Sequence, residues 1–83
     1  MEREKPFYTF THGETTFAFR RPDITQVDRF TSRMARVPLS AALDFTRELA
    51  LDQEAWARAT AEKPGLALTA ANGILEALGF QAG

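Results

Sequence analysis

The stretch that decides the fold is Pro64–Phe80, PGLALTAANGILEALGF. It opens on a Pro-Gly turn pair, runs through good helix formers and closes on a glycine. Leu68, Ala71, Leu75 and Leu78 recur at helical spacing, with Ala67 and Ile74 beside them. This stripe is wider than a coiled-coil seam, so the helix is expected to be covered on more than one side. Gly79 suits the left-handed position just past a helix end, and Phe80 is then expected to pack back on Leu75. Gly73 lies inside the helix, where glycine costs ~1 kcal/mol relative to alanine. A mid-helix glycine marks close approach of another element, here expected to be the hairpin or the second helix. The other elements are expected to be laid against this helix.

Working outward, Asp52 reads as the N-cap of a third, short helix. Ala55, Trp56 and Ala59 are expected to face inward, with Arg58 and Glu62 outside. Trp56 is the only tryptophan, a core anchor whose ring N–H needs a partner. Upstream, Pro38 fits the first turn of a second helix ending near Leu51. Its expected apolar side is Leu39, Ala42, Leu43, Thr46, Leu49 and Ala50, with Phe45 at the margin. Asp23 and Gln26 form a capping-box pair that opens a first helix running to about Ala35. Ile24, Val27, Phe30 and Met34 give its apolar periodicity. Arg29, Arg33 and Arg36 line another face. They read either as a solvated flank favoured near a helix C-terminus or as a contact strip for an acidic partner.

Phe7 to Arg20 reads as a β-hairpin. Tyr8, Phe10, Phe17 and Phe19 are strand-forming aromatics interleaved with threonine, and Gly13 marks the turn. A two-residue loop at Gly13-Glu14 or at His12-Gly13 puts all four rings on one face, and a three-residue loop does not. A lone hairpin is marginal in water, so the helices must cover that face. Phe7 points away from Tyr8, as an edge residue or an exposed contact.

The expected fold is therefore α+β: an N-terminal hairpin at 6–20, then a compact bundle of about four short helices over 23–80. It forms one domain over 1–83, with flexible ends at 1–5 and 81–83. The net charge of −1 lacks the basic excess typical of nucleic-acid binders. The absence of cysteine excludes disulfides and thiolate chemistry. The charged N-terminus lacks an apolar signal core, which points to the cytoplasm.

Catalytic constellations are missing. His12 is the only histidine and lies beside the hairpin glycine, where a turn role is expected, and one histidine without any cysteine does not supply a zinc ligand set. Ser32 and Ser40 have no activating base nearby in sequence. The glycines form no phosphate-cradling loop. No enzyme activity, cofactor or metal is expected.

The runs FRRPDITQVDRF (Phe19–Phe30), PLSAALDFTRELAL (Pro38–Leu51) and EKPGLALTAANGILEALGF (Glu62–Phe80) resemble the small tail assembly chaperones of long-tailed phages and prophages. The resemblance covers about residues 7 to 80 and rests on short structural motifs. It implies a non-enzymatic cytoplasmic protein of the bacterial host that keeps the tape-measure protein, or tail-tube subunits, soluble before assembly. The implied mode is capture of helical stripes in an apolar groove, favoured by an excess of alanine and leucine on the last two helices. Homo-oligomerisation is compatible with this role. Candidate contact residues are Phe7, Arg29, Arg33 and Arg36. The competing reading is a nucleic-acid-associated regulator that gathers Arg20, Arg21, Arg29, Arg33 and Arg36 against phosphates.

Overall fold

A computed structural model describes residues 5–80. The expected flexible ends lie outside that range, apart from the exposed Lys5. The elements are β1 (Tyr8–His12), β2 (Thr15–Phe19), α1 (Ile24–Met34), α2 (Pro38–Leu49), α3 (Gln53–Glu62) and α4 (Gly65–Ala77). The architecture is α+β, a hairpin followed by four helices, as the sequence predicts.

The hairpin turns at Gly13-Glu14, which pairs Tyr8 with Phe19 and Phe10 with Phe17. Gly13 has φ 63°, and no described non-glycine residue has positive φ. That is the pattern of a type II′ turn, whose twist matches the flanking strands. The rings converge on Trp56. Phe17 and Phe19 each meet it edge-on with centroids 4.9 Å away, and Phe10 does so at 6.0 Å. Tyr8 joins the cluster through Phe19, at 6.1 Å. The indole N–H donates to Thr46 Oγ1 at 2.8 Å, and that hydroxyl donates to the Ala42 carbonyl at 2.7 Å. Trp56 thus buries its ring without stranding its polar atom.

The second helix stops earlier than expected. It ends at Leu49, and Ala50 turns extended, with φ −65° and ψ 132°. Ala50 bridges Phe19, the Arg20 N–H donates to the Leu49 carbonyl, and the Leu51 N–H donates to the Ala18 carbonyl. These bonds give β2 a short second neighbour and tie the hairpin to the helices through the backbone. Apolar periodicity cannot separate a last helical turn from such an extended step.

The central element is α2, which packs against α1, α3 and α4. Its buried side also differs from expectation. Ala41 and Phe45 are buried, whereas Leu39 is exposed and Leu43 only half-buried. The cause is α1, which lies on the Phe45 side and stacks Phe30 on it at 4.5 Å and 14°.

Helix α4 packs against α2, α3 and β1. Its innermost residues are Ala67, Ala70, Ala71 and Ile74, all fully buried. The expected Leu68, Leu75 and Leu78 are half-buried flanks. Small side chains in the middle let α4 approach its neighbours closely, and the leucines seal the sides. The backbone of the helix end closes as expected, while Phe80 itself is exposed. Gly79 has φ 109°, the Phe80 N–H donates to the Leu75 carbonyl at 3.0 Å, and the Gly79 N–H donates to the Glu76 carbonyl at 3.0 Å. This pair of bonds is the Schellman motif.

Gly73 does touch the hairpin. A Cβ there would overlap the phenol of Tyr8. Gly73→Ala is therefore expected to destabilise, because ~1–3 kcal/mol of overpacking outweighs ~1 kcal/mol of helix propensity. In a Tyr8→Ala background the same change should become stabilising. Urea denaturation of the four chains in that cycle measures it, and an unchanged sign in the Tyr8→Ala background would rule out the clash.

Candidate functional site

Two surface features involve α1. The first is an apolar groove between the N-terminal half of α1 and the cap of α4. Asp23 begins α1 by accepting the Gln26 N–H at 2.7 Å, while its own N–H donates to Gln26 Oε1 at 2.9 Å. The first helical residue, Ile24, therefore projects past the body and is 80% exposed. Across from it, the Gly79 turn carries Phe80 out beside Leu78, leaving Phe80 52% exposed. Val27 and Pro22 complete the apolar lining, and Arg21, Asp23 and Asp28 form a rim of mixed charge. Phe80 is thus a groove wall, in addition to closing the helix through its backbone.

The second feature is the polar seam between α1 and α2. Arg29 pairs with Glu48 at 3.1 Å and Arg33 with Asp44 at 2.7 Å. Gln26 Nε2 donates to Glu48 Oε1 at 3.2 Å. Arg20 Nη1 reaches the Glu48 carbonyl at 3.4 Å. Antiparallel packing of the two helices places these groups opposite one another, a pairing that sequence spacing alone does not disclose. Arg29 and Arg33 are consequently engaged by carboxylates of their own chain. Arg36 forms no ion pair with the described residues. These pairs are solvent-exposed and contribute ~0–1 kcal/mol each.

The remaining arginine of the first-helix approach, Arg21, lies elsewhere. Its guanidinium stacks over the Phe7 ring at 4.9 Å. Phe7 is half-buried, packs against the core, and donates its N–H to the Phe19 carbonyl at 2.8 Å. It is an edge residue rather than a free contact. The predicted arginines therefore do not form one uninterrupted basic face.

The alanines of the last two helices are divided: Ala61 and Ala77 are exposed, and Ala55, Ala57 and Ala59 are half-buried. Ala67, Ala70 and Ala71 are fully buried. The exposed large apolar residues are Ile24, Met34, Val37, Leu39 and Phe80, set at the ends of helices. Ile24 and Met34, expected on the apolar face of α1, are exposed because they lie at the two ends of that helix.

Among the described residues no group of three or more His, Cys, Asp or Glu side chains could hold a metal ion. No described helix is long and apolar enough to cross a membrane. The Tyr8 phenol titrates above its ordinary value, because burial and, secondarily, the Glu76 carboxylate disfavour its phenolate.

Hairpin and four-helix body together define a small α+β domain that carries an exposed apolar groove. A family model described as a domain of unknown function, DUF6848, matches residues 9–83, and the chain belongs to that family. A solved structure described as uncharacterised protein rbstp2171 from Bacillus stearothermophilus is similar, with 27% identity and a TM-score of 0.80. The match covers 92% of this chain and 81% of that one. No curated protein matches.

Proposed function

We propose that this domain is a non-enzymatic protein-binding module that acts as a tail assembly chaperone, covering a helical stripe of the tape-measure protein before assembly. The observation that carries the reading is the groove of Ile24, Val27, Leu78 and Phe80, an exposed apolar strip framed by charge. Exposed apolar patches with polar rims mark protein-interaction surfaces. The groove suits an amphipathic helix whose large apolar residues enter it, the helix-in-groove mode. The resemblance of Phe19–Phe30 and Glu62–Phe80 to tail assembly chaperones supplies the partner, and these same two runs furnish both walls of the groove.

Co-expression tests the proposal. The tape-measure protein should become soluble with this chain and elute with it on gel filtration. Ile24→Asp and Phe80→Asp together should abolish the complex while leaving the domain folded, because both side chains are largely outside the core. A tape-measure protein equally insoluble with and without this chain would refute the reading. Tight binding to duplex DNA with steep salt dependence would replace it by the nucleic-acid reading.

A further inference from the structure

The groove has two unequal walls. Helix α4 is set into the core by Ala67, Ala70, Ala71 and Ile74, all fully buried. Of the eleven residues of α1, Phe30 alone is buried. That helix packs mainly on α2, through the Phe30–Phe45 stack. Around the stack lie Arg29–Glu48 and Arg33–Asp44, both open to solvent. The chain is anchored on either side of α1, by the Arg20 N–H on the Leu49 carbonyl and by the start of α2 at Pro38.

We infer that α1 is a movable jaw of this groove, which leaves α2 as a unit before the rest of the domain opens, and that the exposed ion pairs with Asp44 and Glu48 set how often it does so. Regions with few buried apolar contacts open locally at lower free energy than the core. Exposed ion pairs are weakened by salt, whereas the burial that holds α4 is not. The groove then widens by movement of the Ile24 and Val27 wall against a fixed Leu78 and Phe80 wall. This allows helices of different girth to be accepted. The purpose of the motion rests on the protein-binding reading, but its occurrence does not.

Native-state hydrogen exchange on the unliganded chain tests it. The amides of Arg29–Met34 should exchange at least about tenfold faster than those of Ala70–Ile74, as sub-global opening requires. Raising sodium chloride to about 0.5 M should increase that ratio, since screening then acts within a few ångström. The paired variant Asp44→Asn with Glu48→Gln should raise the ratio in low salt and make it insensitive to salt. Equal exchange rates for the two helices would overturn the proposal, as would a ratio that salt leaves unchanged in the parent chain. Because no partner is present, failure here is separate from failure of the co-expression test.

Discussion

Trp56→Ala is expected to lower the unfolding free energy by ~3–5 kcal/mol, the range for removing a large buried aromatic side chain. Small domains have ~5–15 kcal/mol in all, so the variant should be only marginally folded at room temperature. The reason is the position of the ring. Three hairpin phenylalanines meet its edges or face, and the indole N–H reaches across to Thr46 on α2. Removing it separates the hairpin from the helices rather than leaving a local hole. Trp56→Phe should cost less. It keeps an aromatic body, and Thr46 retains its bond to the Ala42 carbonyl. Urea titration followed by circular dichroism orders the parent, Trp56→Phe and Trp56→Ala chains. A midpoint for Trp56→Ala equal to that of the parent would show that the hairpin is held by its backbone bonds to Leu49 and Leu51 alone.

The second large effect is expected at Ile74. Ile74→Ala should cost ~2–5 kcal/mol, as a fully buried aliphatic residue on the innermost line of α4. Leu75→Ala should cost less, about 1 kcal/mol, given ~0.8 kcal/mol per fully buried methylene and only partial burial. The cap itself does not depend on that side chain. Phe80 and Gly79 bond to backbone carbonyls, which Leu75→Ala leaves in place. Thermal or urea midpoints of the two single variants decide the matter. If Leu75→Ala were the more damaging, the apolar contact at the cap would outweigh the central burial of α4.

Much of this arrangement is legible before any coordinates. The capping box at Asp23 and Gln26, the Asp52 cap, the left-handed ending at Gly79 and the shared face of the four hairpin rings all follow from local chemistry. Each involves residues within a few positions of one another, so spacing and residue type suffice. The candidate site was less legible. Arg29 and Arg33 read either as a solvated flank or as a contact strip, and spacing did not disclose that antiparallel α2 supplies Asp44 and Glu48 to them. Phe7 read as an edge residue or an exposed contact, and the stacking of Arg21 over its ring was not legible from spacing.

What the sequence by itself determined is the inventory: one hairpin with four rings on a single face, four helices and where they start, and a tryptophan in need of a hydrogen-bond acceptor. Tertiary structure alone decided which faces of those helices are inside. Periodicity reports that a helix has an apolar side, but neighbours approaching from different directions choose how wide that side is and where it is centred. So Phe45 moved from the margin of α2 to its interior because α1 arrived there. On α4 the expected stripe centred on Ala67, Ala71 and Ile74, with Ala70, and left the leucines at its flanks, because close packing on α2 and β1 favours small side chains at the centre. Ile24 and Phe80 were left facing each other across open solvent because they belong to helix ends far apart in sequence that only the folded chain brings together.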